Sequence, residues 1–167
     1  VDRGEAGALA AVEARAKAGD EAVRLAAVKA LGKIGRASSL LILLQAASTP
    51  GNAPLADAAL GSFARVPAPE TDAFVLKALP TVDPALRVKL IAVLGGRKAE
   101  NATAELMRLA TGSDLEVSKA AWRALGLIAS PADLPQLLRL ASAARDDDTR
   151  TLADRAIVTT SMKVLEP

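Results

Sequence analysis

Two short stretches carry the residue types from which a site could be built. Asp146-Asp147-Asp148 is a run of three carboxylates, the hard oxygen ligands that a cation such as Ca²⁺ prefers. It lacks the spaced acceptors and turn glycine of an EF-hand loop, so it reads as a loop whose last carboxylates cap the helix that follows. Gly95-Gly96-Arg97-Lys98 offers glycine backbone and two cations, the ingredients of a phosphate cradle. A P-loop, however, follows a strand and carries G-x-x-x-x-G-K-[ST]. This stretch follows a helical pattern, and a helix C-cap with basic residues at the dipole's negative end accounts for it. Elsewhere the chemistry thins out. The chain has no His, which removes Ser-His-Asp triads and the commonest general base, and no Cys, which removes thiolate nucleophiles and disulfides. Zinc is left without its usual nitrogen and sulfur ligands. The expectation is no catalytic residue, no cofactor and no metal.

What remains is organisation. Asp20-x-x-Val23-Arg24-x-x-Ala27-x-x-Ala30-Leu31-Gly32 returns as Asp83-x-x-Leu86-Arg87-x-x-Leu90-x-x-Val93-Leu94-Gly95. It returns again as Asp114-x-x-Val117-Ser118-x-x-Ala121-x-x-Ala124-Leu125-Gly126. A repeat of this length with helical period means a solenoid whose units pack on their neighbours. Alanine fills roughly a fifth of the positions and aromatics only 2%, and no alternating β-branched runs occur, so the chain is all-α. Aligned on Gly32, Gly61, Gly95 and Gly126, the units are 29, 34 and 31 residues long.

Each unit divides into two helical stretches. First helices are expected near 20–35, 52–65, 84–95 and 114–129, second helices near 37–47, 69–79, 100–112 and 133–144. Half-units at 5–18 and 147–163 flank the units 20–48, 52–79, 83–112 and 114–144, all in one domain over 1–167. Asp20, Asp83 and Asp114 stand at N-cap positions, Pro84 at the first helical residue, and Gly35 and Gly95-Gly96 at ends of the positive-φ kind. Val23, Ala27, Ala30, Leu31 and Ile34 form one face, repeated by Leu86, Leu90, Val93 and Leu94 and by Val117, Ala121, Ala124, Leu125 and Ile128. In the second helices Leu40, Leu41, Leu43 and Leu44 are apolar nearly all round, as in a helix packed on two sides. Two antiparallel layers around a long core follow.

These blocks resemble HEAT repeats, in particular the short bacterial variety of phycobilisome-lyase-type HEAT proteins, over nearly the whole chain. The resemblance implies a right-handed α-α superhelix of about five helix pairs and an Asp–Arg ladder between neighbouring repeats. Here the ladder maps onto Asp20 with Arg24, Asp83 with Arg87 and Asp146 with Arg150, an Arg fork joining a capping carboxylate and loop carbonyls. Ser118 replaces one Arg, and the second unit has Thr49 and Ala53 at the Asp and Arg places, so interruptions are expected there. The chain is also similar to HEAT segments within large exported bacterial proteins.

The resemblance further implies a non-enzymatic scaffold whose second helices line a concave face toward a protein partner or another domain. Arg108, Gln136 and Arg139 are candidate contacts on that layer, and Trp122 is a candidate anchor that burial statistics place at the inter-helix seam instead. Nucleic-acid binding, as in HEAT-like DNA glycosylases, would need a basic stripe and stacking aromatics. Lys+Arg of 21 against Asp+Glu of 19 leaves a net charge of only +2, and the pI of 9.2 reflects the lack of buffering groups near neutrality. Lyase activity would need a nucleophile–base pair that the sequence does not offer. The longest aliphatic run, Leu40 to Leu44, is far short of the about 20 residues of a membrane span. Val1-Asp2-Arg3-Gly4-Glu5 has no leader pattern, and the chain reads as part of a longer protein. Neither terminus carries a polar capping repeat. Leu9, Val12, Leu152 and Ile157 are therefore expected to be exposed, with end-to-end self-association as a consequence.

Overall fold

The computed structural model describes residues 3–163, so Val1 and Asp2 of the opening stretch lie outside the described residues. Every regular element among the described residues is helical. α1 spans Arg3–Lys17, α2 Glu21–Ile34, α3 Ala37–Ala47, α4 Ala53–Phe63 and α5 Thr71–Ala78. α6 spans Pro84–Gly96, α7 Thr103–Ala110, α8 Leu115–Ile128, α9 Leu134–Ala141 and α10 Asp147–Met162. Short 3₁₀ turns follow α5 (Leu79–Thr81) and lead into α7 (Glu100–Ala102) and α9 (Pro131–Asp133).

First helices start where the sequence supplies a side-chain acceptor for a backbone N–H that the helix itself leaves unpaired. Asp20 accepts from Val23 N at 2.8 Å, Asp83 from Leu86 N at 2.9 Å and Asp114 from Val117 N at 3.1 Å. Asn52 accepts from Leu55 N at 3.0 Å and Asp146 from Thr149 N at 3.0 Å. Numbered by these caps, successive first helices lie 31 or 32 residues apart. That corrects the glycine alignment. Asn52, not Thr49, is the cap of the second unit, and Ala56, not Ala53, stands where its neighbours have Arg24 and Arg87. Gly61 falls one turn short of the Gly32 position, which Ala64 occupies.

The helix ends also differ from expectation. Gly35 is extended, with φ −60°, and its lack of a side chain matters because a Cβ would meet the Leu31 carbonyl oxygen and, at 2.9 Å, Val66. After α6 the left-handed residue is Lys98, with φ 54°. Ala99 N reaches Leu94 O at 3.0 Å and Lys98 N reaches Gly95 O at 3.1 Å, a Schellman closure with lysine where glycine is the usual occupant.

The chain divides into two compact units, one through Phe74 and one from Val75. In the first, α2 packs between α1 and α4, and α3 packs on α4. Val28, Leu31, Leu43, Leu55 and Phe63 are buried there, with the Phe63 and Phe74 rings stacked at 6.3 Å. In the second, α8 packs between α6 and α10 and against α7, and α9 packs on α10. Leu90, Ile91, Leu94, Leu106, Trp122 and Leu125 form its centre. Each such side chain contributes about 1.5–3 kcal/mol by leaving water.

The apolar stripes of α6 and α8 are buried as their spacing requires. The stripe of α2 is buried at Ala27 and Leu31 but open at its ends, where Val23 and Ile34 are 37% and 43% exposed. Val23 borders an open groove of about 400 Å³ between α1 and α2, lined also by Ala11, Val12 and Ala30, whose short side chains leave it unfilled. In α3, Leu41 faces outward instead of packing. Leu9, Val12, Leu152 and Ile157 are half-buried rather than exposed; the open apolar residues of α10 are Val158 and Met162. Among the described residues no helix is long and apolar enough to cross a membrane.

Candidate interaction surface

The repeat's polar signature turns inward and toward its own backbone. Arg87 Nε donates to Leu79 O at 2.7 Å and Nη2 to Val82 O at 3.0 Å, closing off carbonyls that the preceding turn leaves unpaired. Ser118, at the same place in the next repeat, donates through Oγ to Ala110 O, again eight residues back. The serine therefore does with a short hydroxyl what Arg87 Nε does with a long side chain, and the expected interruption is absent at this bond. Arg24 does not follow suit: its Nε is buried with no hydrogen-bond partner. Arg150 is exposed. Of the expected Arg fork, the carbonyl half is present at Arg87, and the carboxylate half is replaced by other residues.

Those residues tie neighbouring first helices at their N-terminal ends. In the first unit Asn52 Nδ2 donates to Glu21 Oε1 at 3.1 Å. In the second, Lys119 Nζ lies 3.2 Å from Asp148 Oδ2, 3.8 Å from Asp146 Oδ1 and 3.5 Å from Glu116 Oε1. The hydrogen bond to Asp148 is the main cause that raises the Lys119 pKa above its ordinary value. Asp146 is held below the ordinary carboxylate range, first by the Thr149 hydroxyl at 2.6 Å and then by the Thr149 N–H. The three acids of 146–148 are thus a cap, a first-turn residue and an ion-pair partner, and no group of three acidic side chains among the described residues could hold a metal ion.

Glycines set how closely the first helices meet. A Cβ on Gly32 would sit 3.0 Å from Ser62 Cα, and one on Gly95 3.2 Å from Ala124 Cα. The approach at Gly32 brings Ser62 Oγ within 2.8 Å of Val28 O, a buried bond between α2 and α4. Gly126 is looser, 3.4 Å from Ala156 Cα.

The candidate contact residues separate sharply. Trp122 is 1% exposed, so it is no surface anchor; it occupies the helix position of Val28 and Ile91, which are buried as well. Arg108 is exposed but forks onto Glu105, Nε to Oε2 at 2.8 Å and Nη2 to Oε1 at 2.6 Å. That pair holds the Glu105 carboxyl below its ordinary range and raises Arg108. With Arg87 and Leu79 it lines a cavity of about 210 Å³ between α6 and α7. Gln136 and Arg139 are exposed on α9 beside Leu138, which is 58% exposed, while Leu137 on the opposite side is buried.

The family model described as HEAT repeats matches residues 72–157. The chain belongs to the HEAT-repeat family. HEAT repeats are generally protein-interaction scaffolds and typically non-catalytic. No curated protein matches the chain significantly. Within a HEAT framework the helix ladder reads naturally: caps at each first helix, carbonyl-binding residues four positions on at Arg87 and Ser118, and small residues where first helices touch. Sequence reasoning missed Asn52, Ser118 and Lys119. The even spacing of Asp20, Asp83, Asp114 and Asp146 was the signal that could have found Asn52.

Proposed function

We propose that this HEAT segment is a non-enzymatic scaffold that presents the outward side of its second helices to a protein partner or to another domain of its own chain. The observation that carries the reading is where the polar signature goes. Asp20, Asp83, Asp114 and Asp146 cap helices, and Arg87 and Ser118 bind loop carbonyls, so the recurrent polar residues serve the frame. The outward residues of α9, Gln136, Leu138 and Arg139, combine apolar and hydrogen-bonding groups on a helix whose other side is anchored by Leu137. That combination suits recognition better than catalysis. The test is a photo-crosslinking side chain placed at Gln136 in the full-length protein. A discrete crosslink to a partner or to another domain is expected; a full-length protein that yields none, while remaining folded, counts against the reading.

A further inference from the structure

A second surface lies on the first-helix layer, between α8 and α10. A groove of about 200 Å³ runs there, lined by Trp122, Arg123, Leu127, Leu152, Arg155 and Thr159. Its depth comes from small residues, since Gly126 and Ala156 meet beneath it and neither fills it. Lysines tie α8 and α10 together toward either end of the pair. Lys119 ties α8 to Asp148, and Lys163 Nζ donates to Leu127 O at 3.1 Å and Ala129 O at 2.8 Å, capping the C-terminus of α8. Between these ties stand Arg123 and Arg155, both exposed and neither guanidinium with a hydrogen-bond or ion-pair partner among the described residues. Leu127 is 57% exposed, and Met162 is 60% exposed one turn beyond Thr159 on α10. Trp122, part of the wall, keeps an indole N–H that has no partner.

Two unpaired guanidiniums lining one groove repel each other and favour an anionic occupant, and the leucines favour an apolar one. We propose that this groove docks an acidic amphipathic segment of a protein partner, an apolar side chain entering between Leu127 and Leu152 and carboxylates meeting Arg123 and Arg155. The occupant is a peptide rather than a lone anion because the walls are as apolar as they are charged.

Trp122 is the single Trp of the chain, so its fluorescence reports the groove directly. The whole chain is titrated with a blocked helical peptide bearing leucine on one face and glutamate on the other. Controls are the same peptide with lysine for glutamate, and vesicles of anionic lipid. Saturable, salt-sensitive binding of the glutamate peptide alone is expected. The double variant Arg123→Glu/Arg155→Glu, exposed at both sites and checked for native circular dichroism, should weaken it about tenfold or more, while Lys29→Glu, an exposed charge reversal on α2, leaves it unchanged. Equal binding of the lysine peptide, preference for the vesicles, or self-association of the chain that blocks the peptide would each overturn the proposal. So would no binding at about a millimolar, or insensitivity to the double variant. The outcome is independent of crosslinking at Gln136, so the two surfaces fail or stand separately.

Discussion

Arg24 and Arg87 occupy the same letter of the same repeat, one in each compact unit, and behave differently. Arg87 follows a connection with a 3₁₀ turn, Leu79–Thr81, and finds two carbonyls there. Arg24 follows a bare turn of Ala18 and Gly19 after α1, and its buried Nε finds none. The contrast extends outward from these residues. The second unit has filled stripes on α6 and α8, whereas the first leaves Val23 and Ile34 partly open beside an alanine-rich α1. The HEAT match, over residues 72–157, falls almost wholly on the second unit. A motif residue acquires its role from the loop that precedes it as much as from its place in the motif.

The comparison can be strained first through the glycines, which both units use alike. Gly32→Val and Gly95→Val should each cost about 3 kcal/mol, because the added groups press on Ser62 or Ala124 backbone. Gly61→Ala should instead gain about 0.5–1 kcal/mol, since a Cβ there meets only the far end of Arg65 in ordinary contact and helix propensity improves. Urea unfolding followed by circular dichroism orders the three. The arginines then separate the units. Arg87→Met should cost about 2 kcal/mol by leaving Leu79 O and Val82 O unpaired, while Arg24→Met should stay within about 0.5 kcal/mol of the parent. Similar losses at both positions would remove the distinction.

Lys98→Gly should stabilise the second unit by about 1 kcal/mol, because glycine adopts the left-handed conformation without a Cβ penalty. A lowered urea midpoint would show that the lysine side chain contributes more than its backbone costs. The smallest effects are in titration. NMR should place the Asp146 and Glu105 midpoints below 3.8 and 4.5 respectively. Their stabilising effect is present above those ordinary values and is lost as pH falls through the depressed folded midpoints. Thr149→Val should raise the Asp146 midpoint more than Lys119→Met does, since the hydroxyl is the larger cause.

Much of this was legible in the sequence. Caps, helix extents and the α6 and α8 stripes follow from residue type and spacing, because local hydrogen bonding and helical periodicity decide them. Trp122 was ambiguous because one Trp can serve a core or an anchor, and only its alignment with Val28 and Ile91 decides. Gly61 misled the register because glycine marks a close approach only when a neighbouring helix is there, and that depends on tertiary contact. Ser118 looked like a missing rung because the motif names a side chain, whereas the fold requires a donor within reach of a carbonyl. The α8–α10 groove depends on which side chains remain unpaired after folding, and no spacing rule encodes that.

The two lysines at the ends of α8 bear on the order in which the chain comes apart. For α10 to peel away, Lys119 must leave Asp148 and Lys163 must leave the α8 carbonyls, so separation at either end meets an electrostatic tether. In the first unit α1 is fastened to α3 by Glu13 accepting from Ser38 and Ser39, with an unfilled groove beside α2. Opening should therefore begin at α1, and amide hydrogen exchange should find its protection the lower of the two. Lysines set at the ends of a helix act here as latches on its neighbour, slowing its departure.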